Sequence, residues 1–327
     1  MNNNRLEKAE AGRSLWADAW RRLKKDRLAM ACLWIVVLFT LTAGYGEIVY
    51  WRYRIVDART PAFLVPAQKV MIKILRAESV VGKEPAYQRQ DLNHQYEPPS
   101  WKHPMGTDGL GRDVFQRLIQ GARVAFLVGI VTSFIAIPIG AVLGCMAGYF
   151  GGKLDDFIVW LYSTFACMPP LLFILAVAMV AGKGLLGIYL GIGLTTWVGL
   201  CRLIRGETMK HKERQYVQAA RAIGAGDFRI MFKHILPNVF HVIIISFSLR
   251  FPAAIGTEVI MSFLGIGVQD QPSWGLMISN ARLRLWYGVW WEMGFTTLAI
   301  LAVVLAFNLL GDALRDALDP RLRTTEG

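Results

Sequence analysis

Nucleotide hydrolysis, metal chemistry and acyl transfer each demand a short, recognisable set of side chains, and none of those sets is complete in this 327-residue sequence. A phosphate-cradling loop needs Gly-x-x-x-x-Gly-Lys-Ser/Thr. The pairs Gly152-Lys153 and Gly182-Lys183 are followed by Leu154 and Gly184, and Ala147 and Val177 stand where the upstream glycine belongs. Neither pair holds a triphosphate, so any ATP hydrolysis must come from a separate chain. His94, His103, His211, His234 and His241 are scattered without ligand spacing, no H-E-x-x-H run is present, and Ser246 near His241 is too little for a nucleophile–base pair. Cys32, Cys145, Cys167 and Cys201 lie in or at the ends of apolar runs with no C-x-x-C pair, so they read as buried thiols rather than zinc ligands or disulfides. No catalytic residue, metal or cofactor is expected, and the chain does not read as an enzyme.

Two ionisable residues stand inside an apolar run. Arg250 and Glu258 are about 12 Å apart along a helix that rises 1.5 Å per residue. An ionisable side chain at membrane depth is by default a functional candidate. In one reading both line a passage; in the other Arg250 pairs at a subunit interface and Glu258 caps the next segment. Asp312, Arg315, Asp316 and Asp319, beyond the last apolar run, read as a solvated helical end.

A polar stretch at 202–238 is too long for a turn. Tyr216, Val217, Ala220 and Ile223 recur on one helical face. Gly224 is placed to end that helix in a left-handed conformation. Asp227 then offers an N-cap for a second short helix carrying Phe228, Ile230, Met231 and Ile235, which Pro237 stops. The product is a cationic helix–turn–helix knob with an apolar stripe, an element suited to packing on a partner.

The elements that position these residues are membrane helices. The chain is 54% hydrophobic and 18% charged, against about 45–50% and about 25% for an average soluble domain. Uncharged runs of 19, 29, 26, 18 and 19 residues follow Arg27, Arg123, Asp156, Lys183 and Glu292, and a bilayer core takes about 20 apolar residues per helix. Six spans are predicted, near 28–46, 124–148, 157–181, 185–201, 239–264 and 294–311. Net charge is +12, but the basic residues sit outside the apolar runs, so orientation explains them better than nucleic acid does. With the N-terminus inside, the inner segments carry 20 Lys/Arg and the short outer ones 3, which predicts cytoplasmic termini. Ser14–Arg27 reads as an amphipathic helix anchored on anionic lipid. The outer segment, punctuated by prolines, should be irregular with short helices; a turn capped at Thr107 or Asp108 should lead into a helix over 112–120. Gly140, Gly144 and Gly148, and again Gly187 and Gly191, are spaced for close helix approach. Pro138 and Pro169-Pro170 should kink their helices.

At the knob the sequence resembles a known family. Gln218-Ala219-Ala220, then Gly224, then Ile235-Leu236-Pro237 has the spacing of the EAA loop of importer permeases of the ATP-binding-cassette class, and the surrounding run looks like the oligopeptide/dipeptide/nickel branch. The stretches from Gly106 to Val114, Ser262 to Val268, Pro272 to Gly275 and Gly311 to Pro320 agree in the family's order. The basic tail and first span resemble its C-type subunits. Two departures are visible: Gln218 replaces the family's glutamate, turning an ion pair into a neutral hydrogen bond, and the outer segment before Gly106 is longer than usual.

The resemblance implies an all-α, polytopic type I importer permease in a bacterial inner membrane. It implies a tail at 1–27, a first transmembrane helix at 28–46, an external segment at 47–123, a permease domain at 124–320 with its cytoplasmic coupling loop at 202–238, and a tail at 321–327. It further implies a second homologous permease, two ATPase subunits that receive the knob, an external solute-binding protein, and peptides or related small solutes as cargo. Gly224 would permit the tight turn there, and Ala219 and Ala220 would keep the docking face slim. The competing reading is a self-sufficient secondary transporter, which would want an internal repeat with paired broken helices; none is evident.

Overall fold

The computed structural model describes residues 20–21, 23–57 and 84–318. Residues 14–19 of the expected amphipathic helix, the middle of the outer segment, Asp319 and the tail at 321–327 lie outside the described residues. Among the described residues the chain is helical and has no strand. Its helices are α1 (Arg27–Asp57), α2 (Val114–Phe150), α3 (Gly152–Cys167), α4 (Pro170–Ala181), α5 (Leu185–Thr195), α6 (Val198–Lys212), α7 (Gln215–Ala222), α8 (Phe240–Phe263), α9 (Trp274–Ala281) and α10 (Trp291–Leu318). Among the described residues five helical stretches are long and apolar enough to cross a membrane, with α5 and α6 counted together, and α3 with α4 makes a sixth if that bent pair is one span.

Several expectations change at the helix ends: α1 runs on to Asp57, past the expected end at 46 and into the expected external segment, and α10 runs on to Leu318, past 311. The second span begins earlier than 124, because Asp113 Oδ1 accepts the Gln116 N–H at 3.0 Å and caps α2 at Val114. The 37 residues of α2 extend about 55 Å at 1.5 Å each, well past the ~30 Å hydrocarbon core. The third span is not a straight crossing. α3 and α4 meet at 95°, because a residue before proline is driven out of the helical region, and Met168 (ψ 138°) and Pro169 (ψ 122°) are both extended. The fourth span breaks at Thr196–Trp197 and then runs on to Lys212, so the first third of the expected inner loop is the end of a transmembrane helix. The fifth span, Phe240–Phe263, matches its expected bounds within a residue. Pro138 sits inside an unbroken α2.

Glycine decides how closely these helices approach. A Cβ on Gly140, Gly144 or Gly148 would stand 2.8, 2.5 or 2.6 Å from the carbonyl oxygens of Trp197, Cys201 and Arg205. The paired positions climb together, so α2 and α6 run parallel with backbones in contact, the arrangement small-residue ladders permit in lipid. Gly187 and Gly191 likewise face the carbonyls of Ala178 and Ile174, folding α4 and α5 into a hairpin. An aromatic core (Phe39, Phe251, Trp274, Phe307) joins α1, α2, α8, α9 and α10, with Phe251 and Phe307 stacked at 4.4 Å.

The described part of the expected outer segment, 84–113, is an ordered cap. Asp108 Oδ1 accepts the N–H groups of Leu110 and Arg112, both at 2.9 Å, so Asp108 does cap the turn. Its Oδ2 pairs with Arg112 Nε at 2.7 Å and Arg117 Nε at 3.4 Å. Trp291 Nε1 donates to the Thr107 carbonyl at 3.0 Å, which pins the cap to the start of α10. Of the four cysteines, Cys32, Cys145 and Cys201 are buried; Cys167 is exposed, because it lies on the elbow between α3 and α4.

Candidate functional site

The knob is built as α7, a tight turn, and a helical run through Asp227–Arg229, a π-turn at Ile230–Ile235 and Leu236–Asn238. Gly224 takes φ +81°. Its N–H donates to the Arg221 carbonyl at 2.9 Å, and the Ala225 N–H to the Ala220 carbonyl at 3.0 Å, the two bonds of a Schellman stop. A Cβ on Gly224 would touch nothing, so glycine is needed there for its dihedral angle alone.

One face of the knob is inside the protein. Val217, Ala220, Ile230, Met231, Ile235 and Val239 pack with Cys145 and Tyr149 of α2 and with Leu200 and Ile204 of α6. The π-turn sets Ile230 and Ile235, five residues apart, on the same buried face. Fully burying such side chains stabilises by about 1.5–3 kcal/mol each, so the knob is fixed to the ends of the two helices joined by the glycine seam. Pro237 is exposed and lies within the last turn, and Asn238 Nδ2 donates to the His234 carbonyl at 2.6 Å.

Three site expectations divide here. Ala220 is buried against the bundle and is not part of the outer face; Ala219 and Gln218 are on it. Gln218 Nε2 reaches back to the Glu213 carbonyl at 3.3 Å. Ile223, expected on one face with Val217 and Ala220, does not share their burial and is 85% exposed, because the turn at Gly224 carries it away from the bundle. Asp227 does not cap its helix; no side-chain bond is made there. Its Oδ1 instead accepts the Tyr149 hydroxyl at 2.7 Å. The Arg221 guanidinium lies 5.3 Å over the Tyr149 ring, and a hydrogen bond with that hydroxyl raises its pKa. This tie joins residues 78 apart, which no local spacing reveals. The outward face therefore presents Ile223, Phe228 and Phe232, all exposed, among Arg221, Arg229 and Lys233.

Arg250 and Glu258 do not act together. Eight residues turn a helix by about 80° beyond two full turns, and the two side chains face different neighbours. Glu258 is fully buried; its Oε1 accepts the Ser262 hydroxyl at 2.7 Å, and Ser262 Oγ accepts the Val268 N–H at 3.0 Å. It holds the chain leaving α8 and does not line the cavity at Arg250. Arg250 donates one terminal amino group to the Thr196 carbonyl and the other to Thr196 Oγ1, at the break between α5 and α6. Its head borders a cavity of about 200 Å³ with Thr132, Ser133, Thr196, Ala253 and Thr257.

Residues 140–324 match the family described as binding-protein-dependent transport system inner membrane component, and residues 14–64 match the N-terminal TM domain of oligopeptide transport permease C. The chain is 39% identical over 307 residues to the dipeptide transport system permease protein DppC of Bacillus subtilis, covering 94% of this chain and 86% of that one. It is 33% identical to the oligopeptide transport system permease protein OppC of the same organism, covering 95% and 91%. It is 34% identical to the glutathione transport system permease protein GsiD of Pectobacterium atrosepticum, covering 95% and 93%. Any 307-residue stretch of this chain includes 47–123, so the outer segment lies within the aligned region. An inward-facing MetNI methionine ABC transporter structure shares the fold, with TM-score 0.51 at 15% identity over 62% of this chain and 96% of that one. The chain belongs to the family of binding-protein-dependent transport system inner membrane components.

Proposed function

We propose that this chain is one of two permease subunits of a peptide importer and that its knob receives force from a separate ATPase. The observation that carries the reading is the knob itself: a small element locked by its buried face to α2 and α6, presenting Ile223, Phe228 and Phe232 to solvent beside three cations. Exposed aromatic groups ringed by arginine are what a protein partner's groove accommodates. Closure of paired ATPases would move the knob as a rigid piece and, through the seam at Gly140, Gly144 and Gly148, rock the bundle.

The remaining partners follow from the same reading. A second, homologous permease completes the passage, two ATPases supply the hydrolysis that neither Gly-Lys pair can perform, and an external solute-binding protein delivers cargo. Peptides are favoured as cargo because the relatives are named for dipeptide, oligopeptide and glutathione transport. The excess of Lys/Arg on the knob side supports cytoplasmic termini in a bacterial inner membrane. The test is an affinity pull-down of the tagged chain from gently solubilised native membranes, with mass spectrometry of what co-elutes. A second permease and P-loop ATPases are expected. Isolation alone, in a form still active in uptake, would sink the reading and favour a self-sufficient carrier.

A further inference from the structure

We infer that the cavity at Arg250 is a binding site for the α-carboxylate of a peptide in transit; the inference rests on the peptide-importer reading above. Arg250 is a cation at membrane depth, and among the described residues it has no carboxylate partner: its bonds go to Thr196 alone, and its Nε is buried without a hydrogen bond. A charge so placed is costly unless something neutralises it. The residues lining the cavity include no acid, so among the described residues nothing neutralises this charge, and an anion entering the cavity would.

The geometry says what group that is. Thr196 accepts from both terminal amino groups, and each keeps a second proton, so the guanidinium can still donate to a carboxylate oxygen in the cavity. Thr132, Ser133, Thr196 and Thr257 line the same cavity beside Ile192, Ala253 and Ala254, so a few hydroxyls are set in a mostly apolar lining. Thr132, Ser133 and Thr257 donate their hydroxyl protons to carbonyls of their own helices, so the guanidinium is the donor that an anion in the cavity would meet. Ala253, exposed, forms the rim, and a Cβ on the neighbouring Gly256 would meet nothing. The cavity thus opens on a side of α8 that the described residues leave uncovered. A dipeptide, an oligopeptide and glutathione all end in a free carboxylate.

The complete importer, reconstituted in proteoliposomes with its binding protein, tests this with dialanine and dialanine amide. Arg250→Gln should lower dialanine uptake at least about tenfold, the change that 1.4 kcal/mol produces, while amide uptake and binding-protein-stimulated ATP hydrolysis change little. Arg250→Lys should recover part of the loss. Equal falls for acid and amide would mean that Arg250 only braces the α5–α6 break, and would overturn the site. A second measurement uses Thr257→Cys in a cysteine-free background. An anionic methanethiosulfonate should label it faster than a cationic one, dialanine but not its amide should slow that labelling, and Arg250→Gln should erase the preference. Equal labelling rates would overturn the site even if uptake of the amide is too slow to compare. A wild-type importer that carries neither peptide would remove the peptide reading, and the carboxylate assignment with it.

Discussion

Tyr149, the penultimate residue of α2, donates its hydroxyl proton to Asp227 on the knob at 2.7 Å. This bond closes a path from the outward face of the knob, through Asp227, to a helix whose far end is capped by Asp113. A hydrogen bond to a charged group contributes about 1.5–3 kcal/mol, enough to hold one element to another during a stroke but small enough to be removed without unfolding the bundle.

Tyr149→Phe should therefore lower uptake by roughly tenfold while leaving the amount of protein in the membrane unchanged, since a loss near 1.4 kcal/mol is a factor of ten. Initial uptake rate, normalised to immunoblotted membrane protein, checks it. An unchanged rate would show that the apolar face alone carries the stroke.

At Gly224 the cost of substitution is conformational, because φ is +81° and a Cβ would meet no atom within 4 Å. Left-handed backbone costs a non-glycine residue about 1–2 kcal/mol, and asparagine visits that region most readily. Gly224→Asn should keep most of the uptake, and Gly224→Val should abolish it while the chain still inserts. Equal activity of the two variants would contradict a role for the turn.

Along the seam the cost is steric. A Cβ at Gly144 would lie 2.5 Å from the Cys201 carbonyl oxygen, whereas one at Gly206 would touch nothing. Gly144→Leu should lose on the order of 1–3 kcal/mol or more through overpacking. Gly206→Ala, in an uncrowded helical position, should be neutral or gain up to about 1 kcal/mol. Thermal unfolding of the detergent-solubilised protein, followed by tryptophan fluorescence, separates the two.

In the outer cap Asp108 is buried and faces Arg112 and Arg117. Removing one partner of a buried pair costs about 3–5 kcal/mol, so Asp108→Asn should loosen the cap. Limited proteolysis from the outer side should then cut within 84–113 at least tenfold faster (about 1.4 kcal/mol or more). Wild-type resistance would mean that Trp291 and the Thr107 bonds suffice.

The sequence alone determined the class, the approximate spans, the left-handed turn at Gly224, a capped turn at Thr107 or Asp108 and the two glycine ladders. Each of these rests on a local rule: apolar length, a dihedral only glycine takes easily, a side chain bonding to a backbone amide a few residues away. The tertiary structure decided what depends on residues far apart in the chain. It sealed Glu258 against Ser262 while leaving Arg250 on a cavity, and turned Ala220 inward and Ile223 outward. It bent the third span through 95° and gave Asp227 to Tyr149 rather than to its own helix. A carboxylate or a guanidinium carries no mark of the partner it will meet; which neighbour it finds is settled when helices distant in sequence pack side by side.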